Sequence, residues 1–91
     1  MKPIRTRYPD RIEYTIKEKL HREDGPAVIW DSGNTAWFKN GKCHREDGPA
    51  IITRSGAMFW CINNEFHRED GPAIIYSSGS ETWYLHGRLT F

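Results

Sequence analysis

His21-Arg22-Glu23-Asp24-Gly25-Pro26-Ala27 recurs unchanged as His44–Ala50 and His67–Ala73, so the heptapeptide HREDGPA appears three times at a spacing of 23 residues in a chain of 91. A fixed period of this length marks an array of one small supersecondary unit, which cannot bury its apolar face alone and gains a core by stacking on copies of itself. The same period aligns Trp37, Trp60 and Trp83 beneath Tyr14, and places Leu20, Cys43, Phe66 and Leu89 in a second column. Ser32-Gly33, Ser55-Gly56 and Ser78-Gly79 form a third column, and Asn40-Gly41, Asn63-Asn64 and His86-Gly87 a fourth. The first unit is degenerate, with Lys17-Glu18 in the fourth column, and the last runs out at Thr90-Phe91, where its own heptapeptide would begin. Residues 1–13 are thus read as an N-terminal arm and degenerate first strand. Residues 14–91 are the repeat domain, with units at about 14–36, 37–59 and 60–82 and a partial unit at 83–91.

Charged residues are frequent, but 13 Lys and Arg nearly cancel 12 Asp and Glu, so no general field draws the chain to phosphate backbones or anionic lipid. Nucleic-acid binding is disfavoured, and no apolar run is long enough for a membrane span. The segment MKPIRTRYPDRIEY lacks the apolar stretch of a secretory signal, which makes a cytoplasmic location the expectation. Cys43 stands in a column otherwise filled by Leu20, Phe66 and Leu89, and Cys61 in the column of Phe38 and Tyr84. Two cysteines in different columns are expected to form neither a disulfide framework nor a metal knuckle.

Within a unit, Pro49–Thr53 has the β-branched apolar character of a short strand, Arg54-Ser55-Gly56 supplies a turn, and Ala57–Ile62 reads as a second strand. Asn63-Asn64 then occupies the place of a two-residue hairpin turn, whose tight primed geometry needs positive φ. A helix over Thr15–Glu23, suggested by its Lys and Glu content, is rejected. Register with the better-formed units places that segment on a strand, a turn and a loop, and RIEYTI at Arg11–Ile16 alternates as a half-buried strand does. The expected fold is all-β: an antiparallel meander of three to four stacked β-hairpins, forming a twisted sheet or solenoid with essentially no helix.

The aromatic-x-x-Asn-Gly-Lys segment followed by a Gly-bounded loop resembles a MORN repeat, with Arg22, Arg45 and Arg68 standing where typical MORN units carry Gly. WFKNGKCHREDGPAIITRSG is more similar still to the short HREDGPA-repeat proteins of bacteriophages and large DNA viruses, a likeness spanning roughly Tyr14 to Phe91. The resemblance implies a MORN-like sheet and, for function, a small phage product that binds and inhibits or redirects a host protein, such as a defence or nucleic-acid-processing enzyme.

The residues themselves raise four chemistries. The structural ladder His21, Arg22, Glu23, Asp24, His44, Arg45, Glu46, Asp47, His67, Arg68, Glu69 and Asp70 offers imidazole, guanidinium and carboxylate in every unit. An active site needs one preorganised set, whereas an array repeats the same set, so no catalytic residue is assigned and the chain is read as a non-enzyme. Instead each Arg is expected to pair with Glu or Asp of its own or the next loop, with Gly25, Gly48 and Gly71 permitting a tight loop. Calcium or zinc ligation is disfavoured by the Arg beside the carboxylates, and neither metal nor cofactor is assigned. A nucleotide held by the His/Arg ladder remains the alternative of a small-molecule sponge, and a self-assembling structural protein is another.

Alternation along the strands places Ala27 and Ile29 on one face, with Ala50, Ile52, Ala73 and Ile75, and this unvarying face is expected to be interior. The opposite parity holds Val28, Trp30, Thr53 and Tyr76 and, from the partner strands, Ala36, Phe38, Phe59, Cys61 and Tyr84. From it Trp30, Phe38, Phe59, Tyr76 and Tyr84 are taken as partner-binding anchors, with Arg54, Lys39 and Glu81 as rim charges, since aromatic side chains anchor interfaces. A second core layer is the competing interpretation of that face. The terminal segment Ser80–Phe91 is a candidate homodimer edge. The expectation is a non-catalytic protein-binding module.

Overall fold

The computed structural model describes residues 1–90; Phe91, the last residue of the partial unit and of the candidate dimer edge, lies outside the described residues. Ile4–Arg7 (β1) and Arg11–Ile16 (β2) open the chain as an antiparallel pair, with Ile4 opposite Thr15 and Arg7 opposite Ile12. Lys17-Glu18 turns β2 into Lys19–Leu20 (β3), so the Thr15–Glu23 segment holds strand, turn, strand and loop. On its other side β2 pairs with Val28–Trp30 (β4), and the arm is therefore continuous with the repeat sheet across residue 13.

Three further strands complete that unit: Thr35–Ala36 (β5), Phe38–Lys39 (β6) and Lys42–Cys43 (β7). The next supplies Ile51–Ile52 (β8), Met58–Phe59 (β9), Cys61–Ile62 (β10) and Glu65–Phe66 (β11). Ile74–Ile75 (β12), Glu81–Thr82 (β13), Tyr84–Leu85 (β14) and Arg88–Leu89 (β15) follow. Among the described residues, β1-β2-β4-β5-β8-β9-β12-β13, with β3 beside β2, form a nine-stranded meander, while β6-β7, β10-β11 and β14-β15 form two-stranded ribbons. The protein is all-β, with neighbouring strands antiparallel.

The segment Ala57–Ile62, expected as one strand, is two. Met58 and Phe59 stay in the sheet, Cys61 and Ile62 enter a ribbon, and Trp60 breaks the ladder between them. Its N–H donates to the Ala73 carbonyl at 2.7 Å, and its carbonyl accepts from the His67 N–H at 3.0 Å. Trp37 does the same with Ala50 and His44, at 2.6 and 3.1 Å. The invariant Trp column therefore marks the bend at which each unit leaves the sheet.

Register decides the faces. Val28, Ala36, Ile51, Phe59 and Ile74 oppose one another in one row, and Ile29, Thr35, Ile52, Met58 and Ile75 in the next. Registered neighbours share a face, and adjacent rows point to opposite faces. Val28, Ala36 and Ile74 are only 2%, 3% and 4% exposed, whereas the Ile29 row is half-buried. The expected orientation is thus reversed for the strands, although Ala27, Ala50 and Ala73 are fully enclosed. Each alanine precedes its strand, where the backbone is not extended, so alternation counted from it does not carry into the strand. The ribbons cover the inner row: Cys43, Ala50 and Cys61 form a buried cluster with Trp37, Phe38, Ile51 and Phe66 against it.

The slab is thin, 39 × 25 × 16 Å, and its buried residues are mostly Ala, Cys and Val. Such a core contributes little per unit, and the repeated contacts between units must supply the rest. The two kinds of turn match the strands they join. In the Ser-Gly turns a positive-φ glycine (Gly33, Gly56, Gly79) closes a three-residue loop; in the first, Trp30 N–H bonds the Asn34 carbonyl at 2.9 Å. In the ribbon turns both residues have positive φ, as at Asn40 (52°) and Gly41 (79°).

Lys17 and Glu18 adopt that same turn at φ 51° and 66° without the residues that tolerate it. Replacing them by Asn-Gly is expected to stabilise the protein by about 1–2 kcal/mol in urea unfolding, because the left-handed strain is removed without touching a contact. The N-terminal strand is tied down by Arg7, which holds Asp31 through two hydrogen bonds of 2.8 and 2.7 Å. That hydrogen bond keeps the Asp31 carboxyl below its ordinary value of 3.8, so the tie is complete above this pH and is lost as pH falls through the depressed value. Chemical shifts of β1 amides should report this acid loosening, and in Asp31→Asn they should report it already at neutral pH.

Candidate functional site

Most residues of the heptapeptide, led by the arginine, have a physical task that repeats from copy to copy. The guanidinium of Arg45 lies over the Trp37 ring, with its carbon 3.9 Å from the ring centroid. Arg68 lies likewise over Trp60 at 4.0 Å and Arg22 over Tyr14 at 3.9 Å. Nη1 of Arg45 donates to the Pro49 carbonyl at 3.1 Å and Nε to Asp47 Oδ1 at 3.0 Å, and the Arg22 and Arg68 loops repeat both bonds. Each cation is thus a plate that folds its loop back onto the aromatic ring eight positions earlier. Stacking of this kind contributes about 1 kcal/mol, and the partly enclosed hydrogen bond to a carbonyl about as much again. The Asp partner is 82–88% exposed in the three loops, so the ion pair adds little beyond fixing the guanidinium plane.

Glycine follows from the same plate. A Cβ on Gly48 would sit 3.0 Å from Cζ of Arg45, and on Gly25 or Gly71 at 2.8 or 2.7 Å from the corresponding atom. These glycines have no positive φ; they are required by the close approach of the guanidinium rather than by a tight turn. The alanine closes the loop. Its N–H reaches back into the sheet, as from Ala50 to the Phe59 carbonyl at 2.7 Å, and its own carbonyl takes the N–H of the Trp at the bend.

Histidine joins one unit to the next. Nδ1 of His21, His44 and His67 accepts the backbone N–H of Asn40, Asn63 and His86 at 3.0, 3.1 and 2.9 Å, capping the following ribbon turn. An accepting Nδ1 places the proton of the neutral ring on Nε2. That atom faces Glu46 at 3.4 Å in the second loop and Glu69 at 3.8 Å in the third. The glutamates themselves are exposed, 76% and 80% for Glu46 and Glu69.

Between successive loops lie open grooves. One is lined by Arg22, Glu23, Trp37, Lys39, His44, Arg45, Glu46 and Asp47. Adding 23 to each number gives Arg45, Glu46, Trp60, Ile62, His67, Arg68, Glu69 and Asp70, all of which line the next groove, of about 780 Å³. Eight lining positions correspond, seven with the same residue and Lys39 standing against Ile62, while the second groove is the larger and also takes in Asp47 and Gly48. Among the described residues no three His, Cys, Asp or Glu side chains converge in a way that could hold a metal ion.

The expected anchors do not meet on one surface. Phe38 packs against the Cys43–Ala50–Cys61 cluster, while Phe59 and Tyr84 flank Phe66 at ring distances of 6.1 and 5.4 Å, within the stack between sheet and ribbons. Trp30 is half-buried opposite Arg11, and Tyr76, 44% exposed, begins the last Ser-Gly turn. Arg54 is at the preceding turn, where its N–H bonds Asn34 Oδ1 at 2.8 Å, and Glu81 is paired with Ile75 in β13. Lys39 alone lies in a groove between loops. The Arg–aromatic stack was the feature that alignment missed. Its signal was present as two invariant columns eight residues apart, but nothing in a linear pattern states that they touch.

A cycle built on Arg45→Ala and Gly48→Ala tests the stack. Gly48→Ala alone should cost on the order of 1–3 kcal/mol in chemical unfolding, because the new methyl displaces the pinned guanidinium. In the Arg45→Ala background the same methyl should cost far less, a coupling that additive behaviour would not produce.

Compared with protein-family models, curated proteins and solved structures, the chain matches none.

Proposed function

We propose that the protein is a non-catalytic protein-binding repeat module whose partner lies along the loop edge and across the repeated grooves. The observation that carries this reading is the recurrence of the groove lining: eight positions recur at the repeat spacing, seven with the same residue and Lys39 replaced by Ile62. A surface of this kind suits an extended segment that meets the same contacts in successive units, with the Lys39, Ile62 and Leu85 column distinguishing one register from the next. The exposed glutamates offer carboxylates to a basic or amide-rich partner, and the Trp beneath supplies apolar area. Catalysis is not supported, because Arg and Asp are committed to the loop and His Nδ1 to the next turn in every copy. The likeness to phage HREDGPA-repeat proteins and to MORN repeats agrees with a binding role and suggests a host protein as the partner, bound so as to inhibit or redirect it.

The test is affinity capture from a bacterial lysate, with mass spectrometry of the bound fraction, using the wild type and the triple variant Glu23→Gln/Glu46→Gln/Glu69→Gln. The glutamates are exposed and their contacts to His Nε2 in the second and third loops are long, 3.4 and 3.8 Å, so the variant should keep its melting temperature yet lose the captured protein by at least tenfold. Equal capture by both would overturn the loop-edge reading. Light scattering on the same samples reports whether the molecule itself is the partner, a reading favoured by Leu89, which is 61% exposed on the terminal hairpin while its column mate Cys43 is 8% exposed.

A further inference from the structure

The same pair of backbone bonds recurs where each unit meets the next. Arg22 N–H donates to the Phe38 carbonyl and Gly41 N–H to the Leu20 carbonyl, at 3.1 and 2.8 Å. One repeat on, Arg45 reaches Cys61 and Asn64 reaches Cys43, at 3.0 and 2.9 Å; then Arg68 reaches Tyr84 and Gly87 reaches Phe66, at 3.2 and 2.9 Å. These bonds frame three equivalent side-chain pairs: Leu20 with Phe38, Cys43 with Cys61, and Phe66 with Tyr84. The last is a ring contact at 5.4 Å. In the middle interface both members are cysteine, and both are free thiols that lie in one buried cluster with Ala50. The two columns are neighbours across the unit boundary, which alignment within one unit does not reveal.

We propose that Cys43 and Cys61 are a redox-closable dithiol, oxidised by a low-molecular-weight disulfide to an intramolecular bond that clamps the second unit to the third. These bonds set Cys43 beside Asn64 and Cys61 beside Arg45, which closes the two ribbons together at this boundary and leaves both cysteine side chains in the one buried cluster. Interaction between the two thiols holds Cys61 below its ordinary value, while the same interaction and burial push Cys43 up. In the proposed sequence Cys61 attacks first, as the thiolate. It displaces one thiolate from the oxidant and becomes a mixed disulfide. Cys43 then loses its proton and attacks the Cys61 sulfur, expelling the second thiolate. Two electrons pass from the cysteines to the oxidant, the two protons end on the two released thiols, and one S–S bond is exchanged for another. The cysteines are 8% and 4% exposed, so a bulky adduct on Cys61 is disfavoured against ring closure.

The experiment uses the reduced, folded protein and oxidised glutathione without denaturant, brought to equilibrium and followed by alkylation of remaining thiols in denaturant. The expected product is a monomer two hydrogens lighter, with no alkylated cysteine, melting about 10 °C higher and reversed by dithiothreitol. A retained glutathione adduct, a disulfide-linked dimer or two alkylated thiols at equilibrium would each overturn the proposal. In Cys43→Ser the glutathione adduct at Cys61 should accumulate, and in Cys61→Ser adduct formation should be at least tenfold slower; equal rates would overturn the assigned order of attack.

Discussion

The guanidinium plate is the constraint from which the repeat follows. A planar cation lying 3.9–4.0 Å from an aromatic centroid brings its Cζ within 2.7–3.0 Å of where a Cβ would stand, which favours glycine there. It needs an acceptor at its far edge, which the proline carbonyl provides, and a carboxylate beside Nε to hold its plane. Lysine could not replace it, because a point charge has no flat face to stack and no fork to bond two acceptors. Most of the heptapeptide is therefore the set of residues compatible with one side chain's position, which accounts for its repetition without change in three units.

That local closure matters because the hydrophobic core is thin. Among the described residues no large side chain is fully buried, and the enclosed positions are mostly alanine, cysteine and valine. In an array the stability is the sum of unit terms and neighbour terms. The neighbour terms here are polar as much as apolar: the His Nδ1 cap, the backbone bond from Arg to the ribbon, and the bond from the ribbon turn back to the preceding unit. All of them link consecutive units, so each added repeat is held by the same bonds as the one before it.

The division between committed and uncommitted groups gives the molecule its functional character. Arginine, aspartate, glycine, proline and alanine are consumed by the loop, and histidine by the next turn. The glutamates, Lys39 and Ile62 are left facing the grooves, where they can vary or be recognised without cost to the fold. The inner stack tolerates change differently. Its paired positions accept aromatic, aliphatic or thiol groups provided both members fill the gap between ribbons, and the cysteine pair is the case in which filling also brings two reactive atoms together.

The sequence alone determined the array, its period, the all-β class and both kinds of turn, because those depend on local backbone preferences that residue types report directly. It also identified the columns that matter, including the Trp and Arg that turned out to stack. Which columns touch was decided only in three dimensions. The bend at each Trp moves Cys61 and Ile62 out of the sheet that holds Met58 and Phe59, yet Ala57 and Cys61 are buried and Phe59 lies in the inner row, so the parity carries through and what packing decided is which face is inner. Phe38, Phe59 and Tyr84 are consequently drawn into the stack rather than onto one binding surface, and Cys43 meets Cys61 across a boundary that no single repeat contains. Periodicity carries information about which residues are equivalent, whereas adjacency depends on how far the chain turns between one unit and the next, and that angle is set by packing.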